Sequence, residues 1–307
     1  MSTAHASAIV VSDEIAEATA AGRPVVALES TIFTHGLPRP INEEVALEAE
    51  DIVRQEGAVP ATIGIVAGTA VVGLSNEQIH QLSNETEVVK VSQRDLAVVA
   101  AKRLSGGTTV AATAFLAHHA GIRVFSTGGL GGVHQGASET FDESADLTTL
   151  AGVPIVIVSA GVKSILDIPA TLERLETLNI TVLGFGTNAY PGFYVTESGS
   201  WIEYAVDAPE EVAAVLRAQV DFGLSSAVLV ANPISREKQL DPDEHARVIG
   251  EAWARAAAGG IAGNATTPFL LDYIQRATKG ESLRVNIDVY RSNARLGAQI
   301  ARAAALS

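Results

Sequence analysis

The chain has 307 residues, of which 47% are hydrophobic, 35 are acidic, 21 are basic and none is cysteine. That length and apolar content fit a packed globule with a sizeable core, and the formal charge of −14 leaves no basic stripe for a nucleic-acid polymer. Without cysteine there is no disulfide, thiol nucleophile or thiolate metal site.

No apolar run approaches the roughly 18 residues of a membrane-spanning helix. The opening MSTAHASAIVVSDE lacks the basic and apolar regions of a signal peptide. A cytoplasmic protein is expected, with no membrane partner. Any anionic ligand must meet a local positive pocket inside a negative field, which favours a small molecule.

Roughly the first eight residues are expected to be flexible. Ser12-Asp13-Glu14 reads as a helix start and Gly22 as its stop. A short apolar strand follows at 24–29, and its last residues, Glu29 and Ser30, emerge at the sheet edge. STIFTHGLPRP is rich in turn formers and reads as a loop. Next comes a helix capped near Asn42, with Val45, Ala49, Ile52 and Val53 on one face and Gly57 as its stop. ATIGIVAGTAVVGLS reads as two β segments about a turn at Gly68. A short helix starts at Ser75, a strand at 88–92 carries Lys90 at its centre, and the pattern is helical again from Arg94.

GGTTVAATAFLAHHAG is either a small-residue helix or a strand followed by a helix, and periodicity does not separate the two. Apolar runs at 124–126 and 155–159 read as buried strands. Pro169 fits the first turn of a helix capped by Asp167, with Ile168, Leu172, Leu175 and Leu178 on one face. Residues 163–166 are then a tight turn that holds Lys163 at a strand end. TVLGFGT (181–187) is a strand, YPGFYVTESG irregular, 209–222 a helix and SAVLVANP a strand. Helices follow from Asp241 and in the tail from Thr267, where Leu283, Ile287, Tyr290 and Ala294 form one stripe. Strands alternating with helices imply an α/β fold: one domain over 1–307, with a mainly parallel sheet covered on both faces.

The candidates for chemistry concentrate between Arg123 and Asp167, because loops beyond the carboxyl ends of parallel strands present polar groups without breaking the ladder. Lys163 at such an end feels desolvation and a following helix start, both of which disfavour its ammonium form. A neutral amine there can form a Schiff base; the alternative is a surface lysine on a βα loop. Glu29 is either an acid whose pKa burial raises or a capping carboxylate. Asp142 and Asp146, four apart, share one helical face, or Asp142 stands before the cap as a hard-oxygen ligand. The loop STGGLGGVHQG has neither GxxxxGK[ST] nor GxGxxG spacing, so ATP or NAD binding is not supported. His134 within it is a ligand contact or an ordinary loop histidine. Lys90, in an apolar strand, needs a partner if buried, either a bound phosphate or an acid such as Asp95. Asn286 reads a base edge or lies on a helix surface.

The strings VALESTIFTHGLPRP, VPATIGIVAG, VVKVSQRDL, STGGLGGVHQGASETFDESADL, AGVKSILD, VLVANPIS, TPFLL and SLRVNI run in order from about residue 25 to about 295. Together they resemble the pseudouridine-5′-phosphate glycosidases, also called the indigoidine synthase A-like family. The resemblance implies an α/β/α fold, a homotrimer and a divalent cation, Mn²⁺. The implied reaction is reversible cleavage of the C–C bond between uracil C5 and ribose C1′ of pseudouridine 5′-phosphate, giving uracil and ribose 5-phosphate. It also implies Lys163 as nucleophile, Glu29 as proton donor and Asp142 as metal carboxylate. Lys90, Ser144, Ala145 and Asp146 become substrate contacts, Val110 lines the pocket, and His134 and Asn286 lie near the base.

Such a bond offers no nitrogen or oxygen leaving group to protonate, so two carboxylates acting as in ordinary glycosidases do not suffice. A lysine imine supplies the missing electron sink. Two other readings use the same residues: a Schiff-base aldolase acting on another sugar phosphate, and a non-catalytic sugar-phosphate binding protein.

Overall fold

A computed structural model describes residues 8–261 and 266–305. Of the roughly eight N-terminal residues expected to be flexible, 1–7 lie outside the described residues. Eleven strands form one sheet: β1 (Ile9–Val11), β2 (Val25–Leu28), β3 (Val59–Val66), β4 (Thr69–Val72), β5 (Val89–Val91), β6 (Gly106–Thr108), β7 (Val124–Ser126), β8 (Val156–Ser159), β9 (Thr181–Phe185), β10 (Tyr204–Val206) and β11 (Val228–Ala231). Their order is β1-β4-β3-β2-β7-β8-β11-β9-β10, with β6 paired to β3 and β5 to β6. Every pairing is parallel except β3 with β4 and β3 with β6. The α/β expectation with a mainly parallel sheet holds.

The central strands VVAL, VFS, VIVS and VLVA are buried along their whole length. Such runs suit a parallel sheet covered on both faces. Alternate residues feed two separate cores, Ile155 and Ile157 on one side, Val156 and Val158 on the other. Helices Ile41–Gln55, Pro209–Phe222 and Glu281–Ala305 close the second core, and helices Val110–His119, Ile168–Thr177 and Pro242–Ala258 contribute to the first. Val26, Val156, Val158, Val228 and Val230 are fully buried, each worth about 1.5–3 kcal/mol of transfer free energy.

Several local expectations changed once packing was added. Asn42 is not a cap: Pro40 holds that position. Asn42 is instead buried, and its Nδ2 donates to Phe33 O (2.7 Å) and Ser83 O (3.1 Å), tying the segment Ile32–Gly36 and the helix Asn76–Asn84 to its own helix. The STIFTHG loop contains a π-helical turn at Ile32–Gly36. The small-residue stretch after Ser105 resolves as β6 followed by helix Val110–His119, with Thr109 Oγ1 accepting from Ala112 N. The strand expected over 181–187 ends at Phe185, because Gly186 takes a positive φ of 71° and turns the chain. The tail divides into helices Thr266–Ala277 and Glu281–Ala305, separated where Lys279 and Gly280 adopt positive φ. β1 and β10 were not expected; at three residues each they are too short to display a period. Among the described residues no helix is long and apolar enough to cross a membrane.

Candidate active site

Because β2, β7, β8 and β11 run parallel, the residues that follow them emerge at one end of the sheet. Glu29 follows β2, Thr127 follows β7 and Asn232 follows β11, while Lys163 stands four residues beyond the end of β8. The chain after β8 bends at Gly161, which takes a positive φ of 80°, and rejoins its neighbour through a parallel bridge between Leu130 and Val162. Lys163 N then donates to Leu130 O (3.1 Å), and Leu166 N donates to Lys163 O (2.9 Å). The expected tight turn is present, and Asp167 caps the next helix by accepting from Ala170 N (3.0 Å). With β7 between them, β2 and β8 lie about 9–10 Å apart, within reach of two converging side chains.

Glu29 is only 7% exposed, and the Thr127 hydroxyl donates to its Oε1. Burial pushes the carboxyl above the usual carboxylate range; the nearby Lys163 cation, the Thr127 hydrogen bond and Lys90 pull the other way and do not cancel it. Lys90 has an open flank, yet crowding round its ammonium and then repulsion from Lys163 hold its pKa below the ordinary lysine value. Asp146 and Glu29 oppose that shift. Glu29, Lys90, Asp146 and the half-buried Lys163 therefore form one electrostatic group.

Asp146 is buried at the start of helix Ala145–Leu150, which Ser144 caps by accepting from Asp146 N (3.2 Å). Its Oδ1 accepts from Ala111 N and its Oδ2 from Gly131 N, both at 2.9 Å. The carboxylate thus locks the head of helix Val110–His119 to the glycine loop, beside the buried Val110. Gly131 is required there, because a Cβ would collide with Ser144 Oγ. Asp146→Asn would turn an amide hydrogen toward one of these N–H donors. We expect it to cost about 1–3 kcal/mol in urea unfolding; an unchanged midpoint would show that the bridge carries no stability.

Asp142 does not share a helical face with Asp146; Ser144 starts the helix after it. His134 N donates to Asp142 O (3.0 Å), and His134 Nδ1 lies 3.9 Å from Asp142 Oδ2. No group of three or more His, Cys, Asp or Glu that could hold a metal occurs among the described residues. A lone carboxylate with one nearby imidazole fits only a hard cation that keeps most of its waters, as the Mg²⁺ and Mn²⁺ class does. Ala145 is exposed next to the cap. Asn286 is half-buried on helix Glu281–Ala305, with its Oδ1 3.5 Å from where a Cβ on Gly128 would lie.

Sequence reading missed Thr127, whose one visible signal is its place directly after a buried strand. It also missed the role of Gly131 as the contact point for Ser144 and Asp146.

The sequence model of the family described as indigoidine synthase A like protein matches residues 14–303. The chain belongs to this family. Its relatives include the pseudouridine-5′-phosphate glycosidase of Saccharopolyspora erythraea, 63% identical over 96% of this chain and 98% of that protein. The enzyme of the same name from Salinispora tropica is 56% identical, over 95% of this chain and 90% of that one. Among solved structures, the prealnumycin C-glycosynthase AlnA in complex with ribulose 5-phosphate matches with a TM-score of 0.91 at 37% identity, covering 97% of both chains. An indigoidine synthase A-like protein from Thermotoga maritima matches at 0.87 and 36%, covering 98% of both. The indigoidine synthase A-like fold therefore extends over almost the whole chain.

Proposed function

We propose that the protein is a pseudouridine-5′-phosphate glycosidase, releasing uracil and ribose 5-phosphate. The observation that carries this reading is the pairing of a buried acid, Glu29, with a half-buried amine, Lys163, beyond the ends of two strands that flank β7. The likeness to glycosidases of that name supports the substrate. A structural relative holding a pentulose phosphate supports the class of sugar.

In the proposed reaction Glu29, whose pKa burial raises, gives its proton to the ribose ring oxygen as the C1′–O bond opens. The electron pair on uracil N1 shifts through C6 and C5 to form a C5=C1′ double bond. The free amine of Lys163 adds to C1′, and the electrons return to the base. The adduct nitrogen loses a proton and uracil C5 gains one; the C5–C1′ bond then breaks, while the freed lysine nitrogen lone pair forms an iminium to C1′. Water hydrolyses the iminium, releasing ribose 5-phosphate and regenerating the amine. Lys90, Ser144, Ala145 and Asp146 are proposed to bind the substrate, with Val110, His134 and Asn286 around the base.

Asp142, with His134 near, would hold Mn²⁺, which when bound supplies a fixed positive charge against an anionic substrate. Asp142→Ala is expected to lower turnover whether or not Mn²⁺ is added; undiminished activity of that variant in chelator would remove Asp142 from the site. A homotrimer is the assembly we propose, to be read by light scattering. The primary test is incubation of pseudouridine 5′-phosphate with enzyme and Mn²⁺, watching uracil appear. Binding of ribose 5-phosphate without uracil release would leave a binding protein. Turnover of other sugar phosphates alone would leave an aldolase.

A further inference from the structure

Helix Glu281–Ala305 carries Asn286, Tyr290, Asn293 and Gly297 at spacings of four, three and four residues, which places them on one face. That face runs along the chain leaving β7. A Cβ on Gly297 would collide with Ser126 Oγ, Ser126 Oγ donates to Asn293 O (3.0 Å), and Asn286 Oδ1 approaches Gly128. Asn293 is fully buried. Its Nδ2 donates to Thr127 O (2.7 Å) and Gly128 O (3.3 Å). Its Oδ1 accepts from Asn232 Nδ2 (2.9 Å), which also donates to Ser292 Oγ (3.1 Å). The whole Asn293 amide is used. Thr127 is the next link, because its N donates to Val158 O (3.0 Å) and its hydroxyl reaches Glu29.

We propose that Asn293 is a positioning residue for the reaction, holding the Thr127 main chain so that the Thr127 hydroxyl stays on Glu29. It does not touch the acid itself. A buried, fully satisfied amide network fixes one arrangement, since any displaced member leaves a polar group unpaired in low dielectric. The same amide holds Gly128, so the acid and the first turn of the glycine loop share one anchor. This role rests on Glu29 being the proton donor proposed above.

The test is the pH profile of kcat/KM. Activity needs protonated Glu29, so it falls on an alkaline limb. Thr127→Val removes a hydrogen bond to the carboxylate and should move that limb up by about half to one pH unit. Asn293→Ala should move it the same way and lower kcat about tenfold, with KM changed less than about threefold. In the Thr127→Val background it should add no further shift, because both changes act through one bond.

A limb left in place by Asn293→Ala, or shifts that add in the double variant, would reduce Asn293 to a structural clip. If Asn293→Ala does not fold, Asn232→Ala, which frees the Asn293 amide oxygen, should give a smaller shift of the same sign, and no shift overturns the role. Glu29→Gln separates the two readings. If it stays active, the donor assignment and the positioning role fall together. If it is inactive and the limb of the Asn293 variant is unmoved, the positioning role alone falls.

Discussion

Lys163→Ala should lose at least about 10³-fold in kcat, because no other group in the site can form the bond that replaces C5–C1′. Lys90 cannot stand in for it. Lys90 enters from β5, which pairs only with β6 just past the end of β2, whereas Lys163 enters from the other side of the site, beyond β8. Reaction of the wild-type enzyme with ribose 5-phosphate and borohydride should reduce the iminium and add mass to the peptide carrying Lys163. The alanine variant should show no such adduct. An adduct on another lysine, or full activity of Lys163→Ala, would end the covalent mechanism. Lys163→Arg separates charge from nucleophilicity: guanidinium keeps the positive charge beside Glu29 but stays protonated. It should be as inactive as the alanine variant while binding ribose 5-phosphate more tightly than alanine does.

Glu29→Gln should be nearly as inactive, by about 10²–10⁴-fold, and more stable than the wild type at neutral and alkaline pH. The sign follows from the direction of the Glu29 shift. Its folded-state pKa lies above the ordinary value of 4.5, so the folded protein binds the proton more tightly than the unfolded chain does. Stability from this group is fully present below the unfolded pKa and is lost as pH rises through the raised folded pKa. Glutamine keeps the shape and an oxygen to accept from Thr127, but never has to ionise in a buried place. The thermal midpoint of Glu29→Gln minus that of the wild type should therefore grow with pH above about 5. A difference independent of pH, or one that shrinks, would mean that burial does not hold the carboxyl protonated.

In the proposed reaction the same buried group would supply activity at a cost in stability, as expected where an ionisable side chain is retained in an apolar setting. Glu50 provides a comparison without a role in the reaction. It too is buried and shifted upward by desolvation, with the Thr62 hydroxyl on its Oε1. Glu50→Gln should show the same pH-dependent gain in stability with little change in turnover.

Local features carried much of the fold. Asp167-Ile168-Pro169 announced a capped helix and thereby the turn at Lys163, since cap and proline rules act within one helical turn. The uninterrupted apolar runs of β2 and β8 announced strands buried on both faces and put Glu29 just past the end of one and Lys163 a short turn past the other. The relation between Asp142 and Asp146 was not legible, because a spacing of four is compatible with one helix or with a loop before it. It was decided by Ser144 taking the cap. Asn42 misled for the opposite reason: a good cap residue in a good position was claimed by Ser83, 41 residues away.

The sequence by itself determined the family, the strand–helix alternation and which side chains could react, because these depend on residue identity and on contacts a few positions apart. Only the tertiary structure decided what stands beside them. Thr127 meets Glu29 across 98 residues and Asn293 meets Thr127 across 166. No periodicity encodes such separations. They arise when the parallel sheet brings its strand ends together and the last helix packs across them, and the low dielectric of that junction is what raises the pKa of Glu29.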